Sequence, residues 1–500
     1  MDKKTFASQV TVLVLVNLLV KLIWIFFIER KVQITVGFQN FGLYYSIFSF
    51  TLILGVINDP GLNNYLVQYL NKGETHTNHI SNLFYIKTFL AGLYVFISVS
   101  IGLLLGFNNY NLLGLLILYQ VLFSLLTYLR SFLKGHQLLK SEIFFSVLDK
   151  GLFIIAFLPV LFFDNSFSWT VSFYVIAQII ALTLALILCT LHLYRKKIFV
   201  FGVQKSIPDL ATQEVNHFPP QQGGFILGNE KKAILKKIAP FAVFAFLVLA
   251  YNKIDTVMLA KMLPDGDMQN GVYVAAYRFL DAASMFPILF ATLFFPVLCK
   301  IISDKKKTAE LINNSIAVLM PITIIIAMAS WFYRDHLMAL LYAQNGGATL
   351  ALIFGILMFS LPLVVIYYVF STFFTASNRL RLLNLISAAG LAVNIGLNTL
   401  LIPKYQALGA ALSSLASFFI IGLTYLIFYH VVFKHPFPKV IWIKIFALIV
   451  LLTALGYLTI CIPQNWMSGF SLYLLLATLI TGLLQFFDIR SIRYSLGSKP

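Results

Sequence analysis

Charge is what this sequence has least of. Only 11% of its 500 residues are Asp, Glu, Lys or Arg, where soluble domains run at roughly 25%. A chain so poor in charge cannot coat a large globule with polar surface, which excludes a soluble fold. Acidic residues are the scarcest: 18 Asp and Glu stand against 36 Lys and Arg. The three cysteines, Cys189, Cys299 and Cys461, fall within or beside apolar runs. They have no pairing pattern and no metal-ligand spacing, so they read as small buried hydrophobes. His76 and His79 are spaced i,i+3 with no Cys nearby, which does not make a metal site. A phosphate-binding Gly-rich Lys loop, a Gly-x-Ser-x-Gly elbow and a His-Glu-x-x-His pair are all missing. An ATP-driven pump or a hydrolase therefore has no engine here, and neither an enzyme nor a cofactor is expected.

What is there is hydrocarbon. Hydrophobic residues make up 60% of the chain and the mean hydropathy is +0.89. They arrive in blocks of about 20, the length a helix needs to cross a bilayer. Alternating segments of about 10, the mark of an outer-membrane barrel, do not appear. The fold class is all-α and integral to a membrane. The N-terminal MDKKTFASQV leads into an apolar stretch too long for a signal peptide and without a cleavage site, so it reads as a first, retained span.

About fourteen spans are expected. The first six are near 8–28, 42–57, 81–106, 112–133, 143–163 and 170–194. A stretch at 195–237 with Pro219, Pro220, Gly223 and Gly224 reads as a flexible basic loop. The remaining spans are near 238–262, 272–299, 309–330, 348–376, 382–402, 407–433, 441–461 and 469–487.

The net charge of +18 does not signal nucleic-acid binding, because the basic residues lie in short clusters between apolar blocks. With the N-terminus in the cytoplasm, alternate loops collect about 26 Lys and Arg on that side, including Lys3, Lys4, Arg130, Lys134, Lys305, Lys306 and Lys307. The other side keeps Arg30, Lys31, Lys261, Arg334 and Lys404. This bias places a multi-pass protein with both termini in the cytoplasm. Outer loops stay under about 15 residues, too short to carry a catalytic domain, so the protein works between its helices.

A faint repeat runs through the chain. Gly42-Leu43-Tyr44 reaches Phe50, and Gly271-Val272-Tyr273 reaches Phe279 at the same spacing, 229 residues later. The offset equals six spans plus the central loop, so the copies share one orientation and the halves would be parallel repeats. The expected organisation is a six-helix lobe over 1–194, the basic loop over 195–237, a second six-helix lobe over 238–433, and two further helices with a short tail over 434–500. Two such lobes enclose a central cavity.

Charged residues inside spans are costly, so they face a partner or water. These are Lys21, Lys87, Asp149, Lys150, Lys253, Asp255, Arg278 and Asp281. Lys87 and Lys150 lie close enough to span ends to snorkel, and Arg278 with Asp281 at i+3 can also form a structural ion pair. Cations outnumber anions, which suits an anionic ligand such as a pyrophosphate. The candidate substrate-binding residues are Arg278, Lys21, Lys253, Lys87 and Lys150. Asp255 and Asp281 are candidate carriers of a coupling ion. Polar groups at Asn17, Asn394, Asn398, Ser371, Thr372 and Thr375 serve either a wetted wall or helix–helix glue. Pro287, Pro321 and Pro362 sit inside spans, where a missing amide donor favours a kink.

Several blocks together resemble the multidrug/oligosaccharidyl-lipid/polysaccharide exporter superfamily, and within it the Wzx-type O-antigen and polysaccharide flippases. They are Gly42-Leu43-Tyr44 with Asp59-Pro60-Gly61-Leu62, then Asp255-Thr256-Val257-Met258-Leu259, then Gly271-Val272-Tyr273 through Ala276 and Arg278. The last is Leu401-Ile402-Pro403-Lys404-Tyr405 followed by Gly409-Ala410-Ala411. Gln406 departs from the pattern, because the family more often has glycine there. The resemblance implies a V-shaped pair of six-helix lobes around a cationic cavity. It also implies an undecaprenyl-diphosphate-linked oligosaccharide as cargo, moved from the cytoplasmic to the periplasmic leaflet of a bacterial inner membrane by alternating access. Arg278 would engage the diphosphate. Membrane lipids and a polysaccharide polymerase are the expected partners. The alternatives are a cation-coupled multidrug exporter of the same superfamily and a membrane enzyme of polysaccharide assembly.

Overall fold

The computed structural model describes residues 3–71, 77–163, 169–196, 198, 229–342, 347–433, 439–461, 465–484 and 486. Among these there is no strand. The first helices are α1 (Lys3–Ile23), a π-helix (Trp24–Glu29), α2 (Arg30–Val36), α3 (Phe38–Leu54), α4 (Leu62–Asn71), α5 (Thr77–Leu104), α6 (Tyr110–Gly135), α7 (Leu139–Phe163) and α8 (Val171–Arg195). Then come α9 (Asn229–Met262), α10 (Gly266–Ile301), α11 (Lys305–Phe332), α12 (Arg334–Tyr342), α13 (Gly347–Met358), α14 (Ser360–Ala376), α15 (Leu380–Phe433), α16 (Lys439–Cys461) and α17 (Trp466–Leu483). Ten helices among the described residues are long and apolar enough to cross a membrane, which establishes the all-α membrane class without fixing a count of fourteen. Pro219, Pro220, Gly223 and Gly224 of the expected flexible loop lie outside the described residues, as do His76 and the basic C-terminal tail.

Helix ends follow local chemistry. Asp304 caps α11, its carboxylate accepting from the Lys307 backbone N–H at 3.1 Å with the Lys307 ammonium at 3.3 Å. These contacts hold the Asp304 carboxyl below its ordinary range. Asn109, Thr170 and Asn465 cap α6, α8 and α17 in the same manner. Pro362 falls in the first turn of α14, where its absent N–H costs nothing, and the chain breaks at Phe359 just before it. Pro287 and Pro321 lie within the continuous helices α10 and α11.

Two boundaries differ from expectation. The first span runs past residue 28 through the π-helix and α2 to Val36. α9 begins at Asn229, inside the stretch expected to be loop as far as 237, whereas the break expected near 403–406 is present at Gln406, whose φ of +52° and ψ of −133° separate two helical stretches of α15. That is backbone territory glycine tolerates and other residues occupy under strain. The one departure from the family pattern thus falls where glycine would fit best.

Among the described residues, buried side chains form three cores. One draws only on the first half of the chain, through residues such as Leu66, Leu83, Phe132 and Leu182. A second draws only on the latter half, through Leu298, Ile316, Phe370 and Leu448. The third mixes both, joining Phe41, Tyr45 and Phe107 to Leu259, Tyr273, Tyr342 and Ala410. It lies toward the helix ends near Gly37, Phe107, Leu263, Tyr342 and Lys404, the end poor in lysine and arginine. The two halves of the chain are therefore joined at one end.

The tightest part of that joint is the crossing of α3 with α10. A Cβ built on Gly42 would stand 1.8 Å from the Asp267 carbonyl oxygen, and one on Gly271 would stand 2.0 Å from the Phe38 carbonyl oxygen. Only glycine permits backbones this close. Asn270 donates to the Gly42 carbonyl at 2.7 Å, and Gln33 donates to the Gly271 carbonyl at 2.9 Å. The two copies of the Gly-x-Tyr repeat thus meet face to face.

Candidate functional site: a charged seam between the halves

Just inside the glycine crossing, four helical segments place charges against one another. Lys253 of α9 reaches Asp281 of α10 at 3.0 Å and donates to the Tyr45 hydroxyl of α3 at 2.9 Å. Its ammonium also lies 4.7 Å from the centre of the Tyr277 ring. Arg278 sits 4.7 Å above the Tyr45 ring, with Asp281 at 3.8 Å on one side. On its other side Arg278 pairs with Glu29, which comes from the π-helix of the first half. A buried charge keeps its ionised form only when paired and hydrogen-bonded, and the acids and tyrosine rings here meet that need.

Lys21 approaches from α1. It forms no ion pair within 4 Å among the described residues, but it lines a cavity of about 170 Å³ together with Glu29, Tyr44, Asp149, Lys150 and Arg278. Lys150 is held by Asp149 at 3.4 Å. The structure thus gathers Arg278, Lys21 and Lys150 around one space and ties Lys253 and Asp281 to it. The cationic surplus narrows once Glu29 joins the group: Lys21, Lys150, Lys253 and Arg278 face Asp149, Glu29 and Asp281. An anionic ligand still meets net positive charge, but it must compete with carboxylates already in place.

Lys87 stands apart. It is 0% exposed and sits in the first-half core. It donates to the Asn58 carbonyl at 2.9 Å and to Ser124. In the turn that it holds, Asp59 accepts from the backbone N–H groups of Gly61 and Asn63. This is a structural corner between α3 and α4, removed from the cavity that holds the other candidates.

Asp255 also lies apart from the seam's cations. It is 2% exposed and accepts from Asn398 at 2.6 Å, from the Tyr273 hydroxyl at 2.9 Å and from Ser414. Asn398 also donates to the Asn394 side-chain oxygen at 3.1 Å. No basic group lies within 4 Å of Asp255 among the described residues, whereas Asp281 is committed to Lys253 and Arg278. Asn17 bonds Ser146 of α7 at 2.9 Å, and Ser371, Thr372 and Thr375 bond carbonyls of their own helix. Asn17 thus joins two helices, while the three hydroxyls are satisfied within their own. Among the described residues no three His, Cys, Asp or Glu side chains gather as metal ligands. His79 stacks on Tyr69 at 4.3 Å.

Glu29 is the site residue that sequence reasoning missed. Its run Glu29-Arg30-Lys31 follows an apolar block and looks like a solvated loop, while its partner lies 249 residues away. A second space, of about 500 Å³, is walled by apolar side chains of α11, α14, α15 and α16, among them Ile324, Pro362, Phe419, Trp442 and Phe446.

Comparison with known proteins follows this geometry. The model of a family described as polysaccharide biosynthesis protein matches residues 6–302. No curated protein matches. Among solved structures, the lipid II flippase MurJ in an inward closed conformation is similar over 98% of this chain and 99% of its own, with a TM-score of 0.66 at 17% identity. The Vibrio cholerae MATE transporter VcmN, in a mutant form, is similar over 87% of this chain and 98% of its own, with a TM-score of 0.51 at 15% identity. An outward-facing multidrug resistance MATE transporter of the MOP superfamily is similar over 86% of this chain and 95% of its own, with a TM-score of 0.55 at 14% identity. At these identities the likeness is one of fold.

Proposed function

The chain belongs to the polysaccharide biosynthesis protein family, and on that footing we propose that it is a flippase for an undecaprenyl-diphosphate-linked oligosaccharide. The carrying observation is the group of Arg278, Lys21 and Lys253 at the seam between the halves. Arg presents a planar fork that fits phosphate oxygens, and Lys adds point charge. Lys150 lines the same space and is assigned to the sugar-phosphate path, whereas Lys87 is assigned to holding its turn. The apolar groove against α16 suits a prenyl chain, since hydrocarbon gains free energy on leaving water for such a wall. A lipid II flippase of the same fold is consistent with a cargo of this class.

In this reading the chain divides as 1–194, 195–237, 238–433 and 434–500. Its termini face the cytoplasm of a bacterial inner membrane, and a polymerase receives the cargo outside. Asp255 carries the coupling ion, because it is a buried carboxylate among neutral donors with no cation beside it among the described residues; Asp281 is already neutralised. Transport proceeds by alternating access, with the glycine crossing as the outer closure.

The test uses inverted membrane vesicles and a radiolabelled lipid-linked oligosaccharide, scoring arrival of the glycan in the lumenal leaflet. Translocation that depends on the protein and is lost in Arg278→Ala, with membrane insertion intact, is the expected result. Full transport by Arg278→Ala would overturn the assignment of that residue. No translocation of several anionic lipid-linked glycans would overturn the flippase. The second reading is a cation-coupled multidrug exporter, favoured by the MATE likenesses and by the carboxylates among the seam's cations. Drug-resistance phenotypes would then follow the expression of this protein.

A further inference from the structure

The ion pair between Glu29 and Arg278 has three properties that together point beyond packing. It crosses from one half of the chain to the other, joining the π-helix to α10. It lies beside the end where the halves are joined, next to the Gln33–Gly271 and Asn270–Gly42 hydrogen bonds. It is also one-sided. Arg278 gives Glu29 its Nη2 donor, while its Nε is buried and has no hydrogen-bond partner among the described residues.

An arginine engaging a carboxylate or phosphate at full strength uses two parallel N–H groups. Glu29 takes only one of them. A tetrahedral phosphate entering the cavity can accept from both Nε and Nη2 and carries more charge than a carboxylate, so it outcompetes Glu29 for Arg278. Once displaced, Glu29 no longer ties the first half to the second, and the polar closure at the outer end loses its charged member. When the phosphate leaves, Arg278 keeps only its longer contact with Asp281, and recapture of Glu29 draws the halves together.

We propose that Glu29 is a placeholder for the phosphate of the cargo: it occupies Arg278 while the carrier is empty, holds the outer end shut, and yields when the phosphate binds. The proposal rests on the flippase reading for the identity of the anion. The observed pairing itself carries the latch. It gives a carrier with a charged cavity a reason to stay shut when empty, since opening would separate Glu29 from Arg278 and leave the arginine only its longer contact with Asp281.

The test measures distance across the outer end in the full-length chain, in nanodiscs. Spin labels are placed on cysteines substituted at Asn108 and Asp265, in a background whose three native cysteines are replaced. The probe is polyprenyl diphosphate without sugar. The empty protein should give one short distance, and the probe should add a longer population. Glu29→Gln, which keeps shape and loses charge, should show the longer population several-fold enriched without probe. Glu29→Asp, which keeps the charge, should resemble the unmodified protein and certify that position 29 tolerates substitution. A Glu29→Gln protein as closed as the parent while the parent opens with probe overturns the placeholder and leaves the flippase standing. A parent unmoved by the probe also overturns the exchange. Failure of lipid-linked glycan transport in vesicles, with Glu29→Gln open and the parent opened by diphosphate, overturns the flippase and leaves the placeholder serving another phosphorylated ligand.

Discussion

Two buried lysines in this molecule look alike in sequence and differ in purpose. Lys87 ends on a backbone carbonyl and a hydroxyl within its own half, where it fastens the turn ahead of α4. Lys253 ends on a carboxylate and on a tyrosine contributed by the opposite half, beside Arg278 and a cavity. Burial makes each charge expensive. The partner determines what the expense achieves: a carbonyl cannot be exchanged for a ligand, whereas a carboxylate shared with a cavity-lining arginine can. A charged residue inside a span is thus a question about its partner before it is evidence of a binding site.

The largest expected effect breaks the seam without touching its charges. Gly271→Ala sets a methyl carbon against the Phe38 carbonyl, an overlap that side-chain movement cannot relieve. Closure of the outer end should lose about 3 kcal/mol. Transport should fall close to background, and the spin-label distance between positions 108 and 265 should lengthen. A shut, active Gly271→Ala protein would show that the crossing is not the closure.

The next contrast sets corner against seam. Lys87→Met leaves the Asn58 carbonyl without its donor, at a cost of ~1–3 kcal/mol. The result should be a lower melting temperature in detergent, with transport per folded molecule preserved. Lys21→Met should do the reverse, keeping its melting temperature and losing transport. If both variants lose transport equally while folded, the distinction between the two regions fails.

A smaller effect is expected at Asp255. Asp255→Asn keeps polar contacts with Asn398, Tyr273 and Ser414 but cannot carry an ion. Transport should fall about tenfold, near 1.4 kcal/mol, and become insensitive to ionophores that collapse the gradient. Retained ionophore sensitivity would move the coupling elsewhere. The smallest effect sharpens the comparison by leaving both charge groups alone. Gln406→Gly should relieve the strained bend in α15 and raise stability by about 1 kcal/mol, read as a higher melting temperature with unchanged transport.

The sequence made some of this visible and hid some of it, for definable reasons. Helices show because hydrocarbon must cover a whole span, so the apolar blocks find them. The Gly-x-Tyr pair shows because two halves approaching backbone to backbone need glycine at matched positions. Glu29 is hidden because three successive charges resemble a solvated loop, and only the fold brings Arg278 and the Leu341 carbonyl to that run. The separation of Lys87 from the other cations is hidden as well, since depth along a span does not report which side of a helix meets a cavity. Residues around Asp255 are half visible: Asn394 and Asn398 share a face by spacing, but nothing in the chain says which carboxylate that face meets.

The π-helix bears on how this protein can change over evolutionary time. Each residue in a helix turns it by about 100°, so the wider turn at Trp24–Glu29 acts as a stored one-residue insertion. Deleting any one residue of that stretch would restore an ordinary helix and leave its oiliness almost untouched. Because the wide turn already absorbs the extra residue's rotation, Gln33 would still face the Gly271 carbonyl, and Glu29 would keep its line to Arg278 when the residue lost lies ahead of it. A one-residue change of length in this segment is therefore open to the lineage, whereas Glu29, which lies within it, is not free to drift.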